Sequence, residues 1–125
     1  MSGSGQQRNH SFWRSLGWAL AGVARTARRE PNFRRELAVA VAALALAAWL
    51  RAPLTPIIIM CALVLALELV NSAVEATVDL VSPERHELAA VAKDASAGAV
   101  LVASVAAVLV GLLVMGPPLW QRLFG

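Results

Sequence analysis

Apolar positions along the chain fall into four blocks, separated by short polar or proline-containing stretches. In the first, residues 12–29, Phe12, Leu16, Leu20 and Val23 recur at spacings of four, four and three, while Arg14, Arg25, Arg28 and Arg29 occupy other angles. That period predicts an amphipathic helix, and its mixture of large apolar residues, arginines, Trp13 and Trp18 suits a helix lying in a membrane interface. The run Glu30-Pro31-Asn32-Phe33-Arg34-Arg35-Glu36 breaks the period, and Pro31 predicts a helix boundary at Glu30. Leu37–Leu50 is uncharged, and residues 33–53 reach the ~20 residues that a membrane span needs. Trp49 and Arg51 would mark its far interface. Residues 52–56 predict a tight turn, with Pro56 at the first position of the next helix. A second span, 56–81, starts apolar and continues past Glu68 as an amphipathic helix. Ser82-Pro83-Glu84 predicts a helix restart, with Ser82 as N-cap and Pro83 at the first position. No charge occurs between Ala95 and Gln121, which predicts a third span, 95–116, ended by Gly116-Pro117-Pro118 and anchored by Trp120 and Arg122.

The fold class expected is therefore an all-α membrane protein: one domain over residues 1–125, with a disordered tail at 1–10, a surface helix at 11–30 and three transmembrane helices. Composition agrees. The chain is 58% hydrophobic and 15% charged, where soluble domains sit near ~45–50% and ~25%. The apolar runs begin too late for a signal peptide. Seven of the eleven basic residues are arginines before Leu37, namely Arg8, Arg14, Arg25, Arg28, Arg29, Arg34 and Arg35. This bias predicts a cytoplasmic N-terminus; three spans then place the 82–94 loop on the same side. The net charge of +3 is accounted for by lipid head groups, and no motif points to nucleic acid. The single cysteine, Cys61, forms no intrachain disulfide, and two distant histidines make no zinc pattern.

Candidate chemistry concentrates between Glu68 and Asp94. Glu68, Asn71, Glu75 and Asp79 stand three, four and four apart, on one face of a helix. Carboxylates at membrane depth are costly and point to function. Two of them with an amide, and Lys93-Asp94 nearby, suit a magnesium–phosphate site, because magnesium takes one or two carboxylates together with phosphate oxygens. Glu75 and Asn71 would hold metal, Lys93 would meet phosphate, and the deeper Glu68 would take a proton from a lipid alcohol. Neither a Walker loop nor a protein-kinase catalytic loop is present. The same carboxylates also suit an ion or proton pathway, or buried structural pairs, and on physical grounds these alternatives stay open.

The text ELVNSAVEATVDLVSPERHELAAVAKDASAGAVL, residues 68–101, resembles the signature of the prokaryotic diacylglycerol kinase family, E-x-x-N-[ST]-A-[IV]-E-x-x-[VT]-D followed by a short loop and A-K-D-x-x-[AS]-[AG]-A-V-L. Gly17-Trp18, Gly22 and Glu30-Pro31-Asn32-Phe33-Arg34 extend the likeness upstream, so that it covers residues 12–116. This family comprises small integral-membrane lipid kinases, including undecaprenol kinases. The resemblance implies a homotrimer in the bacterial cytoplasmic membrane, with active sites at the cytoplasmic interface shared between subunits. It implies Mg2+ and ATP, with phosphoryl transfer to the primary hydroxyl of diacylglycerol or undecaprenol. Carried over by position, Glu68 is the general base, and Glu30 and Glu75 are the magnesium ligands at the nucleotide, with Asn71 beside them. Glu84, Arg85, His86, Lys93 and Asp94 contact the nucleotide and Trp18 lines its site, while Asn32, Phe33, Arg34 and Trp49 lie near the lipid-entry region. Two positions depart from the family. Ser11 stands where some members carry an arginine, and Ala97, beside Ser96, where some carry a serine. Ala97-Gly98 and Asn32-Phe33-Arg34 look more like the undecaprenol-kinase side.

Overall fold

A computed structural model describes residues 11–125; the expected polar tail, 1–10, lies outside them. Among the described residues all regular structure is helical: α1 (Phe12–Arg29), α2 (Pro31–Trp49), α3 (Leu54–Val81) and α4 (Glu87–Phe124). Ser11 caps α1 by accepting the Arg14 N–H. Arg28 and Arg29 in its last turn face the partial negative charge of that helix end. One extended residue, Glu30, then separates α1 from α2, whose first position is Pro31. The break lies where the proline requires it.

α3 is the central element. It packs most extensively on α4, then on α2, while α1 folds back across α2 and α3. Its buried residues, Ile57, Val64 and Glu68, follow helical spacing. On α2 the buried positions are Phe33, Ala40 and Ala47, seven apart, and on α4 Ala103 is buried. Alanine at these contacts lets backbones approach closely, which is how membrane helices gain packing without a hydrophobic drive. The large side chains point outward instead: Ile58, Ile59, Leu63, Leu101, Val102, Leu112 and Leu113 are all exposed. An apolar core with an apolar exterior is a lipid-facing arrangement. Two helices, α3 and α4, are long and apolar enough to cross a bilayer. α2 has 19 residues but carries Arg34, Arg35 and Glu36 near its start.

Four local expectations are corrected. Helix α2 stops at Trp49, short of the span expected to run to Pro53, and a Schellman-type turn follows: Arg51 has φ 55°, its N–H meets the Ala48 carbonyl, and the Ala52 N–H meets the Ala47 carbonyl. Helix α3 begins at Leu54, which puts Pro56 at the third position, where its missing N–H is equally harmless. Ser82 does not start a helix. It ends α3, its N–H bonded to the Val78 carbonyl, and its hydroxyl donates to the Glu84 carbonyl, so it cannot serve the next helix. His86 is the N-cap of α4, its Nδ1 accepting the Leu88 N–H at 3.1 Å. Finally, Gly116-Pro117-Pro118 does not end α4, which continues to Phe124. Two prolines remove two donors, yet Trp120 and Phe124 stack one turn apart, with ring centroids 4.6 Å apart. Arg122 lies over the Trp49 ring at 4.2 Å and donates to the Trp49 carbonyl at 2.7 Å. These contacts hold the last turns helical.

Candidate active site

Helices α2, α3 and α4 enclose an apolar cleft of about 450 Å³. Leu46, Ile57 and Leu119 line one end and Glu36 and Val64 the other. One turn beyond Val64 on α3 comes Glu68, only 9% exposed. It is the one charged residue buried among the described residues. Glu36, Glu30 and Glu75 lie close enough for their charges to act on it. Four carboxylates from three parts of the chain therefore converge where α1, α2 and α3 meet. Glu30 arrives from the α1–α2 break and lines a groove with Leu69, Ser72, Ala73 and Ala76 of α3. Arg25 and Arg29 line that groove too, so carboxylates and guanidinium groups stand side by side there. Among the described residues no three His, Cys, Asp or Glu side chains form a protein-only metal cage. Magnesium does not call for one: it is held by one or two carboxylates, with phosphate oxygens and water completing its shell. Glu30 and Glu75 fit that donor set.

Glu75 is held in turn. The Asn71 Nδ2 donates to its Oε1 at 3.4 Å, one turn apart on α3. The Ser96 hydroxyl of α4 donates to Asn71 Oδ1 at 2.6 Å and lies 3.0 Å from the Lys93 carbonyl.

A second cleft, of about 460 Å³, lies at the open end of the α3–α4 pair. Glu84, Arg85 and His86 from the non-helical linker line it, with Asp79 of α3 and Lys93 of α4. Lys93 pairs with Asp79 there, and Asp94 is exposed at the next helical position. The Ser96 bridge joins this cleft to the carboxylate group, since Ser96 touches both Asn71 and the Lys93 backbone.

Other residues singled out from the sequence lie elsewhere. Trp18 stands exposed on α1. Phe33 is buried in the helix packing. Arg34 caps α1: its Nη1 donates to the Ala27 and Arg28 carbonyls at 2.9 and 3.0 Å. Asn32 Oδ1 accepts from Arg35. Trp49 is at the far end of α2, about 25 Å along the axis from Asn32, and is engaged by Arg122. Sequence reasoning missed Glu36, which entered there only as the end of the run that breaks the period of the first helix. Its signal was its place four residues before Ala40 and seven before Ala43, on the small-residue side of α2.

The model of the family described as prokaryotic diacylglycerol kinase matches residues 17–115. A diacylglycerol kinase from Synechocystis sp. is 41% identical over 109 residues, covering 84% of this chain and 62% of that relative, so the chain spans somewhat under two thirds of its length. An undecaprenol kinase from Bacillus subtilis is 40% identical over 111 residues, 86% of this chain and 90% of the relative. A diacylglycerol kinase from Escherichia coli is 34% identical over 99 residues, 77% and 81% respectively.

Proposed function

Because the chain belongs to the prokaryotic diacylglycerol kinase family, we propose that it is a membrane lipid kinase that moves the γ-phosphoryl group of ATP to the primary hydroxyl of a lipid alcohol. That alcohol is diacylglycerol or undecaprenol, and the product is phosphatidate or undecaprenyl phosphate. The observation that carries the reading is the buried Glu68, placed between an apolar cleft and a group of three further carboxylates. A lipid alcohol approaching from the bilayer presents its hydroxyl at this boundary.

In the proposed mechanism Glu68 accepts the hydroxyl proton as the oxygen attacks. Its burial one turn beyond the residue that lines the apolar cleft suits a base for a lipid hydroxyl. Glu30 and Glu75 would hold magnesium, which supplies charge neutralisation to the phosphates when bound. Asn71 orients Glu75 through its N–H. Lys93, Arg85 and His86 face one cleft and would take the nucleotide phosphates and ribose, with Glu84 and Asp94 beside them. Lys93 would exchange its Asp79 partner for phosphate. Trp18, on α1, would close over the base. Phosphoryl transfer is largely positioning and electrostatics, so residues of this kind are sufficient without a covalent intermediate.

The same reading makes α2 a third span, its Arg34, Arg35 and Glu36 at head-group depth, with the N-terminus and the active site cytoplasmic and three copies per assembly. Accessibility labelling of single cysteines and light scattering of the purified protein test those points.

The kinase reading is tested by labelled-phosphate transfer from ATP in mixed micelles offering diacylglycerol and undecaprenol side by side, with Glu75→Gln as control. Product from one lipid, lost in the variant, is expected. Folded protein that phosphorylates neither overturns the reading.

A further inference from the structure

The family motifs account for Glu75 and Asn71 but leave unexplained what fixes the Asn71 carboxamide. That group is ambiguous by construction: its oxygen only accepts and its nitrogen only donates, and a half-turn of the side chain exchanges them. Glu75, the neighbour one turn along α3, is a carboxylate and accepts only. Asn71 helps Glu75 solely when its nitrogen faces that carboxylate; the flipped amide would set oxygen against oxygen.

We propose that Ser96 is a positioning residue that locks Asn71 in its productive orientation and, through it, holds the Glu75 carboxylate for metal. The inference rests on the proposed kinase reading and concerns the same site. At 2.6 Å from Asn71 Oδ1, the Ser96 hydroxyl is within the range of a strong O–H···O bond. A hydroxyl can donate or accept, but with the Glu75 carboxylate accepting on the far side of the amide, the consistent arrangement puts the hydroxyl proton on Asn71 Oδ1 and holds that oxygen toward α4. The amide nitrogen is then left on the Glu75 side, where it donates to Oε1 at 3.4 Å. With Oε1 engaged, the other oxygen of Glu75 is the one free to meet a cation.

Ser96 is itself well suited to this task. It is half-buried at the α3–α4 contact, and its hydroxyl also lies 3.0 Å from the carbonyl of Lys93, three residues back in the same helix. The single proton serves one acceptor at a time, and the shorter contact is the one to Asn71. The relay crosses from α4 to α3, and it ties the segment carrying Lys93 to the segment carrying Glu75. Movement between the two helices would be felt at both ends of the nucleotide phosphates.

The test compares Ser96→Ala, Ser96→Thr and Ser96→Val in the full-length protein. Threonine keeps the hydroxyl, and valine has the shape of threonine without it. Two readouts are used. The first is kinetic: turnover against magnesium concentration at saturating ATP and lipid. Ser96→Ala and Ser96→Val are expected to raise the half-saturating magnesium and lower kcat, each by about three- to tenfold, as one lost hydrogen bond implies. Ser96→Thr should restore both. The second requires neither metal nor turnover. The chain has three asparagines, Asn9, Asn32 and Asn71, so the Asn71 side-chain amide can be assigned by nuclear magnetic resonance after 15N labelling. In the wild type and Ser96→Thr its protons should exchange slowly with solvent; in Ser96→Ala and Ser96→Val they should exchange several-fold faster.

A merely structural role would make the threonine and valine variants fail together, and that result overturns the proposal. So does an unchanged amide signal in Ser96→Ala. Glu75→Gln run alongside separates this failure from failure of the kinase reading. Wild-type turnover that Glu75→Gln abolishes while Ser96→Ala matches wild type removes Ser96 alone.

Discussion

The two ends of the helix bundle are built on opposite terms. At one end Glu30, Glu36, Glu68 and Glu75 gather, with Arg25 and Arg29 lining the groove beside Glu30 and Lys93 paired with Asp79. At the other, Arg122 lies against Trp49 by ring and carbonyl together, and the turn after α2 has its backbone bonds in place. The first end gathers charged side chains of both signs around the buried Glu68. The second is already satisfied.

Substitutions can break or sharpen that contrast. The largest effects belong to the acidic end. Glu75→Gln and Glu68→Gln should each lower turnover by about 10²-fold or more, with helical content and assembly unchanged by circular dichroism and light scattering. If both variants kept near-normal turnover, the site assignment would be wrong. Next comes the elbow beneath it. Arg34→Ala removes the donor to the Ala27 and Arg28 carbonyls, a helix-end contact worth about 1 kcal/mol, and should speed amide hydrogen exchange in the last turn of α1 before any other segment. Uniform exchange along the chain would show that Arg34 does not hold the elbow.

At the far end the effects are smaller and should spare catalysis. Arg122→Ala is expected to cost about 0.5–1 kcal/mol of resistance to unfolding in mixed micelles, with unchanged kcat and KM. Trp49→Ala should follow it. A large loss of turnover in Trp49→Ala alone would place Trp49 in the lipid path instead. Smallest is Arg51→Gly. Arg51 occupies a left-handed conformation that suits glycine, so the variant should gain up to about 1 kcal/mol. A loss would mean that the arginine side chain contributes more than its backbone costs.

Much of this was legible in the residues. The arginine-punctuated period of α1 and the proline after Glu30 fixed the first helix and its end. The spacing of Glu68, Asn71 and Glu75 is enough to place them on one face of α3. Misreadings arose where one signal serves two purposes. Ser82 and Pro83 can open a helix or close one, and which they do depends on where the serine hydroxyl finds its partner. Gly116-Pro117-Pro118 ends a helix unless contacts beyond it, here Trp120 with Phe124 and Arg122 with Trp49, hold the next turn. Glu36 and Ser96 were illegible for another reason. Their roles depend on which neighbouring helix they meet, and no period along one strand of sequence records that.

The joint at Glu30 has a mechanical consequence. A rod that rocks about a hinge displaces its tip most and its pivot least. The only non-helical residue between α1 and α2 is Glu30, the carboxylate proposed to hold the metal. Trp18 lies twelve residues away, about 18 Å along the rod. A rock of roughly 5° would swing Trp18 by about 1.5 Å and leave the Glu30 backbone almost still. On the proposed reading the surface helix would be a lever whose outer arm admits and releases a nucleotide while its fulcrum stays in register with the metal.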